Sequence, residues 1–596
     1  MKKRVVMLLL VSCLLTGQTP ITALAEETVA VSENMTVSGQ YTYLDESGVE
    51  QVKDAIVMDA TMTTWTDGWY VVKDEITMDS RVTVSGDVHL ILANGAKLEV
   101  NGGIGVEGEN KFSVYGQSIE PSVMGQLVSK GKKHGDAGIG CGRSGIAGTI
   151  TINGGMVTTK AADNGTGIGS GLFAEGGLIT INGGVVNSTG SQYGAGIGTG
   201  EAGKGGNIII NGGTINASSA SGAGIGGGSS TKAENENEGL TVTIHGGNIT
   251  ARSSSGGAAI GAGMSGTIES VCIHGGNITA STGYGGAAIG AGGSGQVKDV
   301  TITGGIVNAT GGIAVSGIGG GDSRTNKKVK VDRITISGGT IIAQGGQYCD
   351  YGIGSEFQKD ACVFSTGETG NVVIITSEIE FKEDISQWRG VIFQGTEGLI
   401  YGDSATPSES FEVQEGKTLT IANGQTLVIQ EGKTLTNNGT ICVKEGGELV
   451  INGTFVGNEV QYEADKEDIP EEPESSKEPE ASEESKIPEI NTSASSAILG
   501  ILINEYGCDM KDIVKVYSEI VKSTDILVPG WELMIPQYDA EKNVIGSSKH
   551  VVTKGDSVWS ISKRYGCTCS DIVSFNSVLL LYEVNAFMTE LESKIE

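Results

Sequence analysis

Apolar and polar residues alternate through the middle of the chain, around a recurring Gly-Gly pair. Seven such pairs, each preceded by Ile and one polar residue, begin at residues 154, 183, 212, 246, 275, 304 and 338. Their spacings are 29, 29, 34, 29, 29 and 34 residues. The two longer steps contain the polar stretches 231–238 and 322–328, which we interpret as surface insertions. A fixed period of this length predicts a repeat architecture.

Each repeat places apolar residues at equivalent positions. Ile or Val stands four and two residues before the first Gly, and again three residues after it. A small residue follows two positions later, and a third apolar position lies in a Gly-Ile-Gly motif or a variant of it. The period of two predicts short strands with one buried face, and the Gly pair predicts a turn between them. One unit cannot bury these residues alone, so we expect stacked coils about 4.8 Å apart.

The predicted fold is therefore mainly β, a right-handed parallel β-helix with Ile and Val ladders inside. A propeller blade needs more residues, and an α-solenoid does not fit a period of two. Residues 81–115 alternate in the same way, and residues 410–455 repeat every 8 residues, which predicts a tighter solenoid or a stack of hairpins. Trp65, Trp69 and Tyr70 precede the first coils, and we expect them to cap the open end.

Composition and charge narrow the class of protein. Gly accounts for 95 of 596 residues without a three-residue period, which excludes collagen. The formal charge of −31 argues against nucleic acid or an anionic membrane surface as a partner. Residues 1–25 combine Lys2, Lys3 and Arg4 with a short apolar run and an Ala-Leu-Ala site, which predicts a secretory signal peptide. A lipidated Cys13 is the less favoured alternative. We expect no membrane span and no covalent wall anchor.

A charged segment separates the repeats from the C-terminal part. Residues 463–489 contain 12 acidic and 3 basic residues and four Pro. Such a segment cannot bury enough apolar surface to fold, so a disordered, extended linker is predicted over residues 461–490.

The C-terminal part carries the most specific motif. Residues 549–566 read as a strand, a Gly-Asp-Ser turn that caps a helix, and a Tyr-Gly stop, and a second helix begins at Ser570. This run resembles the first two thirds of a LysM module. The resemblance implies an α+β fold that binds glycans containing N-acetylglucosamine, chiefly peptidoglycan, through the loop Gly555, Asp556 and Ser557.

A weaker copy lies upstream, over residues 491–537. Residues 526–536 resemble the second ligand loop and last strand of a LysM, which implies ligand contacts from Val528, Pro529 and Gly530. The upstream copy lacks the first strand and the Gly-Asp-Ser turn, whereas the downstream copy lacks the Pro-Gly loop and the last strand. The final residues, 578–596, are atypical, and we interpret them as the product of a truncation or frameshift.

The repeats resemble secreted bacterial β-helix proteins, among which are carbohydrate-binding proteins and polysaccharide lyases and hydrolases. Catalysis of that kind needs clustered acidic groups. The Asp residues between 136 and 355 do not recur at one coil position, so no catalytic residue is predicted. His245 and His274 lie one repeat apart, but a metal site needs a third ligand, and Asn, Thr or Ser occupies the same position in other repeats. We expect a solvent-facing polar ladder there, and no metal or cofactor.

Eight isolated cysteines are spread over the exported chain. They form no disulfide scaffold, and we interpret them as buried or free thiols. The sequence thus predicts a secreted protein, attached non-covalently to the cell wall of a Gram-positive-type bacterium, whose β-helix binds carbohydrate or acts as an adhesin-like spacer. The alternatives are a polysaccharide lyase or hydrolase retained at the wall, and a purely structural wall or spore-surface protein.

The predicted segments are the signal peptide 1–25, a cap with the first coils 26–135, the repeats 136–355, further coils 356–460, the linker 461–490, LysM-like segments 491–537 and 549–577, and the tail 578–596.

Overall fold

The computed structural model describes residues 38–230, 239–322, 329–355, 363–379, 385–463, 532–538 and 544–551. The chain divides into two compact units, Met1–Asp468 and Ile469–Glu596. The predicted signal peptide, almost all of the predicted linker, and most of both LysM-like segments lie outside the described residues. Within the described residues the first unit is built almost entirely of β-strands, and none of its helices is long and apolar enough to cross a membrane.

The solenoid begins with an antiparallel hairpin. Its two strands pair from Ser38 opposite Ile56 to Leu44 opposite Glu50, and the second strand then runs parallel to the first coil. The strands of this region are β1 Ser38–Leu44, β2 Glu50–Val57, β3 Thr64–Val72, β4 Glu75–Met78, β5 Val82–Leu92, β6 Lys97–Val100, β7 Ile104–Gly105 and β8 Lys111–Gly116.

The hairpin, and not the predicted aromatic residues alone, covers the first edge. Trp65 and Tyr70 lie inside the coil, where the Trp65 indole donates a hydrogen bond to the Met62 carbonyl over 2.8 Å. Trp69 points to the other face of β3, because side chains alternate along a strand. There it packs with Tyr43 of the hairpin, with ring centroids 4.7 Å apart. Of the three aromatic residues expected to cap the open end, Trp65 and Tyr70 thus lie in the core of the first coil, and Trp69 packs against the hairpin outside it.

The seven predicted repeats form the coils of a parallel β-helix, as the sequence predicts. Each coil contributes one strand before the Gly pair, one after it, and a two-residue Ile-Gly strand. The coil before them contributes β9 Gln126–Lys130 and β10 Ile139–Gly140, and the strands of the seven repeats are β11 Thr149–Ile152, β12 Met156–Lys160, β13 Ile168–Gly169, β14 Leu178–Ile181, β15 Val185–Thr189, β16 Ile197–Gly198, β17 Asn207–Ile210, β18 Thr214–Ser219, β19 Ile225–Gly226, β20 Thr241–Ile244, β21 Asn248–Ser253, β22 Ile260–Gly261, β23 Thr267–Ile273, β24 Asn277–Thr282, β25 Ile289–Gly290, β26 Gln296–Ile302, β27 Ile306–Thr310, β28 Ile318–Gly319, β29 Lys330–Ile336, β30 Gly338–Gln344 and β31 Ile353–Gly354.

Equivalent residues of successive coils lie directly opposite one another. Ile150 pairs with Ile179, and Ile179 pairs with Ile208, in parallel register. The small positions predicted for the interior are buried as well, from Thr159 and Ser188 to the alanines of later coils. The Thr159 and Ser188 hydroxyls lie 2.8 Å apart, and Ser188 also donates to the Gly196 carbonyl, so these polar groups are satisfied inside the coil.

The Ile-Gly strands bring the backbones of neighbouring coils close together. Gly261 has φ +140°, and a Cβ there would lie 2.0 Å from the carbonyl oxygen of Gly290. A side chain fits neither the backbone conformation nor the available space. The Gly residue of this motif is therefore a requirement of the coil geometry.

The last part of the solenoid is narrower. Its elements are β32 Val363–Ser365, β33 Asn371–Thr376, the 3-10 helix η1 Ile385–Gln387, β34 Gly390–Gln394, β35 Glu397–Tyr401, β36 Ser404–Ala405, β37 Phe411–Val413, β38 Thr418–Ile421, β39 Thr426–Ile429, β40 Thr434–Asn437, β41 Thr440–Val443, β42 Glu448–Ile451, β43 Thr454–Gly457 and β44 Gln461–Tyr462. β38, β39 and β40 each pair in parallel with the strand one turn later. Of the two arrangements left open by the 8-residue spacing, this is the solenoid.

Of the second unit, the structure describes one antiparallel hairpin. It consists of β45 Glu532–Tyr538 and β46 Val544–Val551, and Glu532 pairs with Val551. The strand predicted to end the upstream LysM-like segment thus pairs with the strand that begins the downstream one.

Candidate functional site

All six residues predicted to bind glycan lie outside the described residues. They are Val528, Pro529, Gly530, Gly555, Asp556 and Ser557. The described hairpin lies between the two groups in the sequence, with β45 starting after Gly530 and β46 ending before Gly555.

The β-helix carries a groove that the sequence did not predict. The groove has a volume of about 700 Å³ and lies beside the ends of β12, β15, β18, β21 and β24. Its lining is rich in small and hydroxylated residues: Lys160, Ala161, Ala162, Asp163, Thr189, Gly190, Ser191, Gln192, Ser218, Ser219, Ala220, Arg252, Ser253, Ser254, Ser281, Thr282 and Gly283.

The groove follows the solenoid axis because its lining residues repeat from coil to coil. One row consists of residues in direct parallel register: Lys160, Thr189, Ser218, Arg252 and Ser281. Four coil steps at about 4.8 Å give the row a length of roughly 19 Å. A groove of this length and direction suits an extended polymer better than a compact small molecule.

Backbone-bonded hydroxyl groups form the floor of the groove. Ser219 donates to the Gly194 carbonyl over 2.8 Å, and Ser253 donates to the carbonyls of Ala220 and Gly222 over 2.8 and 3.0 Å. These bonds fix the floor side chains, which are buried. The rim is more exposed and carries Thr189, Gln192 and Ser254, whose polar atoms can reach a ligand.

The charges of the groove are uneven. Lys160 and Arg252 are exposed, and neither forms an ion pair with another described residue. Asp163 is the single carboxylate of the lining. The groove therefore has an excess of positive charge, although the whole chain carries −31.

A second row of polar residues stands beside the Gly pairs, where the sequence predicts a polar ladder. The Asn182 amide donates to Asn153, and the Asn211 amide donates to Asn182, each over 2.7 Å. His245 and His274 stack with ring centroids 5.0 Å apart. From Asn211 to Thr303 the row is exposed, as predicted, but Asn153 is buried and lies at a hollow also lined by residues 44–48 of the N-terminal hairpin.

The described residues contain no candidate metal centre, and one of their thiols is deeply buried. Among them, no three His, Cys, Asp or Glu side chains gather in a way that could hold a metal ion. Cys141, Cys272 and Cys442 carry free thiols. Burial raises the pKa of the Cys141 thiol to about 11, so this thiol stays protonated near neutral pH.

Comparison with known proteins identifies two elements of the chain. The LysM domain family matches residues 550–579, which overlap all but one residue of the downstream segment predicted over residues 549–577. The β-helix repeat family matches residues 179–201, 208–229, 242–264, 300–322 and 334–355. No curated protein and no solved structure matches the chain. The chain thus combines a parallel β-helix of recognised repeats with a LysM domain near its C-terminus.

Proposed function

We propose that the protein is a secreted, wall-associated glycan-binding protein. Its LysM domain holds peptidoglycan, and its β-helix presents the groove to an extended polysaccharide. The LysM match at residues 550–579 carries the first part, since LysM domains generally bind glycans that contain N-acetylglucosamine. The signal-like residues 1–25 support export, and the acidic segment 461–490 supports a spacer between the wall and the β-helix.

Peptidoglycan sedimentation tests the anchor. The mature full-length chain is expected to pellet with purified, protein-free peptidoglycan, and soluble chitooligosaccharides are expected to release it. A chain that ends at residue 490 keeps the first compact unit and serves as the control that should stay in solution. Equal sedimentation of both chains, or no effect of chitooligosaccharides, would overturn the proposed anchor.

The C-terminal hairpin bears on how many glycans the anchor binds. β45 comes from the upstream LysM-like segment and β46 from the downstream one, and each segment lacks the strand that the other supplies. We propose that the two segments act as one binding unit. Calorimetry of the full chain with a chitooligosaccharide should therefore give a stoichiometry of about one ligand per chain, whereas two independent sites would contradict the proposal.

For the β-helix, the groove favours binding over cleavage. Glycoside hydrolysis needs two carboxyl groups at a defined separation, and Asp163 is the single carboxylate of the groove lining. Incubation of the full chain with candidate polysaccharides should give binding without release of new reducing ends. Release of reducing ends, abolished by Asp163→Asn, would favour the enzyme alternative. A glycan array without any ligand apart from peptidoglycan fragments would favour a spacer.

A further inference from the structure

A short run of basic residues lies at one end of the groove. Residues 130–134 contain Lys130, Lys132, Lys133 and His134 in a chain that is otherwise acidic. Two main-chain bonds fix this loop beside the groove: the Gly131 amide donates to the Lys160 carbonyl over 2.9 Å, and the Gly135 amide donates to the Asp163 carbonyl over 2.7 Å. The loop is therefore a direct continuation of the groove by one coil.

Most of these cations have no acidic partner. Lys130 pairs with Glu99 at 2.5 Å, but Lys132 and Lys133 are exposed and form no ion pair within the described ranges. With Lys160 and Arg252 they make four cations, against the one carboxylate of Asp163. Elsewhere on the solenoid some half-buried lysines pair with neighbouring acids, as Lys97 does with Glu75 and Lys433 with Glu409, whereas the exposed Lys73 and Lys204 form no ion pair with a described residue. The groove and its adjoining loop therefore bring four unpaired cations together on one part of the solenoid.

The spacing of the cations fits repeated charges on one polymer. Lys160 and Arg252 occupy the same row, three coils apart, which corresponds to roughly 14 Å at the strand spacing. Hydroxyl and amide groups of Thr189, Gln192 and Ser254 lie along the rim between or beside them. Cations at intervals with hydroxyl groups in between complement a chain that carries both anionic groups and many hydroxyls.

We infer that the groove binds a linear, polyhydroxylated polyanion, whose charges are carboxylates or phosphodiesters. This inference rests on the proposed glycan-binding role of the groove and narrows its ligand class. The acidity of the whole chain contributes selectivity, because a polyanion is repelled by the other faces of the solenoid and is attracted only at the groove.

The test is affinity electrophoresis of the full chain through gels that contain one soluble polymer. The probes are polygalacturonate, a poly(glycerol phosphate), and polygalacturonate whose carboxyl groups have been reduced to hydroxymethyl groups. None contains N-acetylglucosamine, so the LysM domain does not mask the result. Both polyanions should retard the chain more than the reduced polymer does, and the retardation should fall between about 0.1 M and about 1 M salt, where the Debye length shrinks from about 10 to about 3 Å.

Charge-removing variants identify the site. Lys160→Gln and Arg252→Gln should each weaken polyanion binding by about 1.5- to 5-fold, the range expected for exposed charge pairs, and the double variant should weaken it further. Lys204→Gln removes an exposed charge outside the groove lining and is the matched control that should bind as the parent does. Circular dichroism and melting curves check that every variant is folded.

The outcomes separate this inference from the proposal on which it rests. Equal binding of the reduced polymer and the polyanions, unaffected by the groove variants, would overturn the inference and leave a neutral-glycan groove. Absence of binding to all three polymers would overturn both. Retardation by only one polyanion would support the inference and identify the source of the charge, carboxylate or phosphodiester.

Discussion

The wide coils of the repeats and the narrow coils near residues 404–463 bury two different cores on opposite faces of one sheet. The strands β33 and β34 are the wall between them. Val372 and Ile374 belong to the core of the wide coils, whereas Val373 and Ile375 belong to that of the narrow coils. The chain thus changes from wide to narrow coils at β33 and β34. One face of these strands packs on the core of the wide coils, and the opposite face packs on the core of the narrow coils.

Glycine has a different task in each region. In the wide coils Gly261 allows two backbones to approach, since a Cβ would collide with Gly290. In the narrow coils Gly424 has φ +75°, and no other atom lies within 4 Å of the position that a Cβ would take, so only the turn conformation requires glycine. Glycine is therefore required by close backbone packing in the wide coils and by the backbone torsion angle in the narrow coils.

The largest expected effect comes from Gly261→Ala. The new methyl group meets the Gly290 carbonyl and the backbone must keep φ +140°, so we expect a loss of about 3–5 kcal/mol from strain and overpacking together. Urea unfolding and hydrogen exchange of the full chain measure the loss. Exchange should rise first in the coils around residues 225–290. A loss below about 1 kcal/mol would show that coil spacing adapts freely and that packing does not distinguish the two regions.

The second largest effect is expected from shortening buried side chains of the shared wall. Ile374→Ala and Val373→Ala each remove a fully buried side chain, but from opposite faces. We expect about 2–4 kcal/mol for Ile374 and somewhat less for the smaller Val373. Hydrogen exchange should increase in the wide coils for the first variant and in the narrow coils for the second. The same pattern of exchange for both variants would mean that the two cores unfold as one cooperative unit.

Gly424→Ala should have a smaller effect, about 1–2 kcal/mol, because only the left-handed conformation opposes the side chain. Gly424→Asn should cost less, since Asn tolerates that conformation better. Thermal melting of the two variants beside Gly261→Ala provides the comparison. An alanine effect as large as that at Gly261 would refute the distinction between torsion and packing.

Acid should weaken only the wide-coil region, and by the least of these effects. Burial lowers the pKa of His89, whose ring stacks on Trp69 with centroids 4.4 Å apart. The unfolded chain therefore takes up a proton before the native one, and stability is lost as the pH falls below about 6.5. Residues 363–463 contain no His. Hydrogen exchange at pH 7.5 and pH 5.5 should show the loss near residues 64–116, and His89→Asn should remove it; a loss confined to the narrow coils would contradict the assignment.

Local pattern was sufficient to predict the repeats. The alternation of Ile152 and its equivalents with polar neighbours, together with the fixed period, specifies which face is buried and therefore the register between coils. The Gly-Asp-Ser sequence at residues 555–557 likewise sufficed for the LysM domain, whose family matches there. In both cases the information lies within a few dozen consecutive residues.

Features that join distant residues were not predicted. The groove arises where Lys160, Ser218 and Arg252 meet at the ends of separate coils, and no single repeat contains its lining. The shared wall did leave a signal, since residues 372–375 are apolar without alternation, as expected of a strand buried on both faces. The position of Trp65 before the first repeat predicted its place at the end of the solenoid, but not that its side chain lies inside the first coil, which β3 forms with β5.

The one-to-one register of the coils links the length of the groove to the number of coils. Because each coil adds one residue to the row that includes Lys160 and Arg252, the duplication of a single coil would lengthen the binding surface by one strand spacing and leave every other contact type unchanged. Unequal recombination between repeats could in this way alter the distance between the two cations in steps of about 4.8 Å. The number of coils between the two cations would then set the charge spacing that the groove prefers in a ligand, and no side chain would have to be substituted.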